Sequence, residues 1–211
     1  MERALILVDI QNDFLPGGAL EVGDGNAVVP VANTLMQHFD LVVASKDWHP
    51  ANHGSFAANH PWRKPGQVID LNGLDQILWP IHCVQESYGA EFARDLQDEQ
   101  IEKIFYKGTD PEIDSYSAFF DNAHRRATGL GDYLKEQGIQ EVYLVGLATD
   151  YCIKFTALDA LELGFKTYVV TDGVRGIEQE AGDVERALQQ MQERGARLVK
   201  SEEVVAFYTD K

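Results

Sequence analysis

The chain has 211 residues, 45% of them hydrophobic and 25% charged, and 18 Lys+Arg against 34 Asp+Glu leave a formal charge of −16 near neutral pH. This balance excludes a disordered or fibrous chain and leaves material for a sizeable core. The negative excess argues against a nucleic-acid partner, which requires a basic footprint.

The first apolar run, residues 4–8, is too short to cross a membrane. It also lacks the basic flank and small-residue cleavage site of a secretory signal, so neither a membrane nor an exported form is expected. Two cysteines make no disulfide framework, and a reducing cytoplasm is the expected setting. Ala4-Leu5-Ile6-Leu7-Val8 reads as a strand buried on both faces, as inside a parallel sheet. Helical patterning follows over 26–39, with Pro30 suited to a first turn. Further apolar strands are expected over 41–45, 103–106, 141–145 and 166–170, with a sixth over 196–200. Helices over 130–137 and 152–163 end at Gly138 and Gly164, and 178–194 is the longest helical stretch. Strand and helix alternate, which predicts an α/β fold: a doubly wound, mostly parallel sheet of about six strands with helices on both faces. No linker divides the chain, so 1–211 reads as a single domain.

One interval breaks the alternation. Over 47–88 neither a helix nor a strand period is evident, and only a short helix near Gly89 is expected. A connection of that length inside a compact domain is more often functional than idle. It carries four of the six histidines (His49, His53, His60, His82), all three tryptophans and four of the seven prolines. Such clustering is what a metal site needs.

In open parallel sheets ligands bind beyond the carboxyl ends of the strands. Asp9 follows the first strand, Asp47 and His49 the second, and Lys107 the third. Gly146-Leu147-Ala148-Thr149-Asp150-Tyr151-Cys152 follows the fourth. Cys152 is placed to open a helix with Thr149 or Asp150 as N-cap, where unpaired N–H groups favour a thiolate and can receive an oxyanion. Asp9 ends an apolar run, where desolvation raises a carboxyl group toward proton exchange near neutrality. Lys107 can hold a carboxylate and a thiolate ionised. Asp47 and His49 point the same way in an extended segment, His53 follows a turn, and His82 returns from the far end of the loop. One Asp with three His is a mixed O/N donor set suited to zinc, iron or manganese. Cys83 reads as a core thiol, and His38, His60 and His124 as surface residues.

Val8-Asp9-Ile10-Gln11-Asn12-Asp13-Phe14, Lys46-Asp47-Trp48-His49, Trp79-Pro80-Ile81-His82-Cys83-Val84, Phe105-Tyr106-Lys107-Gly108 and the 146–152 segment occur in an order that resembles the nicotinamidase/pyrazinamidase group of the isochorismatase-like cysteine hydrolases. The resemblance runs from about Arg3 to Gly176. It implies Asp9, Lys107 and Cys152 as a catalytic triad, Asp47, His49, His53 and His82 as ligands of one divalent ion, and Phe14, Trp79 and Tyr116 as lining of a pyridine pocket. It also implies Ala148 and Cys152 as oxyanion-hole N–H donors, with a cis peptide before Ala148. The implied reaction is hydrolysis of nicotinamide, and of pyrazinamide, through a cysteine thioester, in NAD salvage. Zinc is the first choice of ion. The partners are small molecules; the surface helices show no sustained apolar seam, so a homo-oligomer stays open. Two rival readings are a superfamily relative acting on a ureido compound or isochorismate, and a non-catalytic metal-binding or thiol redox protein. The Asp/His set speaks against the first, and Asp9 with Lys107 against the second.

Overall fold

A computed structural model describes residues 2–209. In chain order it holds β1 (Arg3–Val8), α1 (Val28–Met36), β2 (Val42–Asp47), β3 (Val68–Leu71), β4 (Leu74–Ile77) and β5 (Lys103–Lys107). Then come α2 (Leu130–Glu136), β6 (Glu141–Leu147), α3 (Lys154–Glu162), β7 (Lys166–Arg175), α4 (Asp183–Glu193), β8 (Arg197–Val199) and α5 (Ser201–Thr209).

Six strands form one sheet in the order β5-β2-β1-β6-β7-β8, and every pairing in it is parallel. Its alternation makes two apolar layers. Leu5 and Leu7 face a layer with Val28, Ala32 and Leu35 of α1 and Val204 of α5. Ala4, Ile6 and Val8 face the other, with Leu134 of α2, Ala157 and Ala160 of α3, and Ala187 and Met191 of α4. A strand apolar on both faces is thereby buried on both, as the opening run predicts.

The chain leaves β1 toward β2 and β5 on one side, and continues from β6 toward β7 and β8 on the other. The order reverses between β1 and β6, which is where a doubly wound sheet opens its crevice. Gly146 makes that contact close: it pairs with Val8 at φ 134, and a Cβ there would overlap the Val8 backbone.

Several expectations change. The interval 47–88 is not without strands, because β3 and β4 form an antiparallel hairpin around Asn72 and Gly73, both with positive φ. Near Gly89 there is a single 3-10 turn, Tyr88–Ala90. The helix expected from 178 begins at Asp183, because Glu178 and Gly182 both hold left-handed backbone. The helix expected from Cys152 begins at Lys154, and a π turn, Thr149–Ile153, precedes it. Neither Thr149 nor Asp150 caps it.

Candidate active site

The strand ends at the reversal carry the ionisable groups. Asp9 follows β1, with left-handed φ 50, and is fully buried. Its Oδ1 accepts a hydrogen bond from Ser45 Oγ at 2.7 Å, and its Oδ2 lies 2.8 Å from Lys107 Nζ. Lys107 ends β5, and its ammonium also donates to Asp47 Oδ1 and, at 2.9 Å, to the Ser115 carbonyl. From there it stands 3.5 Å from Cys152 Sγ. The three residues singled out from separate strand ends therefore meet at one point.

Their protonation follows from burial and mutual charge. Burial raises Asp9 above the usual carboxylate range, Lys107 pulling against it and Asp47 adding to it. Burial likewise raises Asp47, but Lys107 and His49 outweigh it and hold Asp47 well below that range. Lys107 is lowered by burial and raised further by Asp47 and Asp9, so it stays an ammonium. Burial raises the Cys152 thiol well above its ordinary value, Lys107 offsetting only part and Asp9 and Asp47 reinforcing it. Burial thus works against the thiolate that this turn was expected to favour, and a carboxylate oxygen of Asp9 lies within 4.8 Å of the sulfur. Three carboxylate and thiol groups around one ammonium cannot all ionise in a dry site.

Asp47 belongs to a second cluster as well. Donor atoms of Asp47, His49 and His82 lie within 4.8 Å of one another. The Nε2 atoms of His49 and His82 stand 3.5 and 3.6 Å from Asp47 Oδ2, long for hydrogen bonds. Their other ring nitrogens are tied back: His49 Nδ1 to the Gly108 carbonyl at 2.9 Å, and His82 Nδ1 to the Pro80 carbonyl at 2.8 Å. Such ties leave Nε2 pointing at a ligand position. Gly108 has positive φ, and any Cβ there would overlap the His49 ring. His53 joins an adjoining group, with His49 and Asp114. Its Nδ1 meets Ser55 Oγ at 2.7 Å, and burial lowers its imidazole to about 4. The Nε2 atoms of His49 and His53 are buried with no hydrogen-bond partner. Orphaned imidazole nitrogens beside an ionised carboxylate are the donor set of a divalent transition metal, and these residues fit one.

Phe14, Trp79 and Tyr116 line one cavity with Cys152, Ala148, His82 and Asp47. Trp79 Nε1 donates to the Tyr116 hydroxyl at 3.3 Å, and the Trp79 and Tyr151 rings meet edge-on, 5.0 Å apart. Only about 20 Å³ is free inside, room for about one water. A roomier cleft of about 630 Å³ beside Asn33 and Arg94 holds none of these groups, so chemistry rather than size locates the site. The Leu147–Ala148 peptide is cis.

Sequence reasoning missed three supports. Gln11, fully buried, donates to the Asp47 carbonyl at 2.8 Å and accepts from the Asp47 N–H at 2.9 Å. Ser45 sits two residues before Asp47 on the same strand face, a spacing that could have flagged it. Asp114 lines the cavity and receives a hydrogen bond from Gln76 at 3.1 Å; nothing local marks it.

The isochorismatase domain family matches residues 3–203. The nicotinamidase of Escherichia coli (strain K12) is 51% identical over 203 residues, covering 93% of each chain. A solved nicotinamidase/pyrazinamidase of Acinetobacter baumanii superposes with a TM-score of 0.93 at 47% identity, over 96% of this chain and 98% of that one. The pyrazinamidase of Pyrococcus horikoshii, solved in complex with zinc, gives 0.77 at 40% identity, over 95% and 99%. A fold reversing at the cysteine-bearing strand, and a match over nearly the whole length, make this chain a member of the isochorismatase family.

Proposed function

We infer that the protein is a nicotinamidase, an amidohydrolase that converts nicotinamide to nicotinate and ammonia and also deamidates pyrazinamide. The relatives carrying those names cover almost the entire chain. The observation that carries the reading is the meeting of Asp9, Lys107 and Cys152 around one ammonium.

In this mechanism Asp9 takes the thiol proton of Cys152, and the sulfur attacks the amide carbon. The oxyanion is received by the N–H groups of Ala148 and Cys152. The C–N bond then breaks, Asp9 returns the proton to departing ammonia, and a thioester remains. A water deprotonated by Asp9 attacks the thioester, nicotinate leaves, and the proton goes back to sulfur. Lys107 stays charged throughout and offsets whichever of its neighbours is anionic. Phe14, Trp79 and Tyr116 hold the ring by their faces and edges.

Asp47, His49 and His82, flanked by His53, would hold a divalent ion, which supplies Lewis acidity toward a heteroaromatic nitrogen. Zinc suits the mixed N/O donors and is the ion named for the Pyrococcus horikoshii relative; iron and manganese suit them too. We place the reaction in NAD salvage in the cytoplasm, and read 1–211 as one domain. No helix among the described residues is long and apolar enough to cross a membrane.

The test is ammonia release from nicotinamide by purified protein, before and after chelation. Release that is lost on chelation and restored by zinc is expected; no release from the metal-loaded protein rejects the reading.

A further inference from the structure

Asp150 stands two residues before the reactive sulfur, yet takes no part in the proton transfers described above. It is 5% exposed, and both carboxylate oxygens are engaged by the segment leaving β7. Oδ1 accepts from the Ile177 N–H and Oδ2 from the Glu178 N–H, each at 2.9 Å. The Tyr151 hydroxyl donates to Gln179 Oε1, also at 2.9 Å. Two consecutive residues of the sulfur-bearing turn thus hold three consecutive residues of another segment.

The held segment is under constraint. Glu178 has φ 54, a conformation that residues with a side chain keep only where their surroundings over-determine it. Its own carboxylate accepts from the Gly182 and Val184 N–H groups, fastening it to the start of α4. Ile177 lines the same small cavity as Cys152 and Trp79. A loop left to solvent could satisfy these N–H groups with water. Burying a carboxylate to do so is costly, and its charge-assisted bonds give the segment a fixed position.

We propose that Asp150 is a positioning residue that fixes Ile177 as a wall of the ring pocket. In that position the wall restricts the enzyme to pyridine and pyrazine carboxamides without added ring substituents. The proposal rests on the nicotinamidase reading and names what limits its substrate class. Asp150 acts through Ile177 and leaves the sulfur's own chemistry alone.

The experiment compares Asp150→Asn, Ile177→Ala and the double variant on nicotinamide and on a ring-methylated nicotinamide, with zinc content and melting temperature followed alongside. Asparagine keeps the size but can accept at only one terminus. Losing a charge-assisted bond should raise KM for nicotinamide about tenfold, with kcat within about twofold of wild type. Preference for nicotinamide over its methylated analogue should fall by a similar factor. Ile177→Ala should do the same, and the double variant should add little beyond either one. A fall in kcat at unchanged KM, unchanged preference, or full additivity overturns the proposal. Slow amide exchange at Ile177 and Glu178 is expected in the wild-type protein, and fast exchange there overturns the clamp even if Asp150→Asn cannot be purified. Wild-type protein that leaves nicotinamide intact refutes the functional reading. Wild-type turnover with an indistinguishable Asp150→Asn refutes only this inference.

Discussion

The two halves of the sheet contribute different things to one crevice. On the β1, β2 and β5 side, strands end in charge: Asp9, Asp47 and Lys107. On the β6 and β7 side they end in Leu147 and in Arg175, which pairs with Asp24 and does not line the cavity, and the site receives backbone, the sulfur of Cys152 and the wall at Ile177. In the proposed mechanism one half sets protonation and holds the ion, and the other delivers the nucleophile and shapes the pocket. Lesions on the two sides should therefore fail in distinguishable ways.

The largest effect belongs to the second half. Cys152→Ala removes the atom proposed to form the thioester, and ammonia release should fall by at least about 10³-fold while fold and metal content persist. Substantial residual turnover would show that another group is the nucleophile. In the first half, Lys107→Met strands two buried carboxylates. Breaking a buried ion pair from one side costs roughly 3–5 kcal/mol, so the melting temperature should drop along with activity. A variant as stable as wild type would mean that Asp9 and Asp47 do not depend on that ammonium.

Next, His49→Ala should lower metal stoichiometry and weaken binding of pyridine carboxamides, leaving the thiol of Cys152 chemically intact. Unchanged metal content by elemental analysis would remove His49 from the ligand set. The smallest effect is a shift in pH dependence. In the proposed mechanism Asp9 must be ionised to accept the thiol proton, so activity should rise with pH through its pKa, and the acid limb of kcat/KM reports it. Burial already raises Asp9, and the Ser45 hydrogen bond opposes that rise. Ser45→Ala removes a stabiliser of the carboxylate, so the acid limb should move to higher pH. A limb that stays put or moves down would dissociate it from Asp9.

The division between the halves also explains what the sequence made legible. Strands apolar on both faces announce themselves, and Asp9, Asp47, Lys107 and Cys152 stand at or just beyond their ends. The β3–β4 hairpin had a local signal, since Asn72-Gly73 is the preferred pair for a two-residue turn with both φ positive, but its strands are short and half-exposed. α5 is short and buries Val204 at its centre, too little for a periodicity. The uncapped turn at Cys152 follows from Asp150 bonding to residues 177 and 178 instead of to its own helix, and Glu178, held there at positive φ, joins Gly182 in delaying the start of α4. No window of neighbouring residues contains that choice. The upward push on the Cys152 thiol is non-local in the same way, because it comes first from burial and then from carboxylates at the ends of β1 and β2.

Lys107 is carried by β5, the outermost strand on its side. Margins of a sheet open more readily than its middle, and here the margin holds the one ammonium on which the charge balance depends. Warming should therefore silence turnover at a temperature where most of the secondary structure still stands, so loss of function would be an early reporter of fraying.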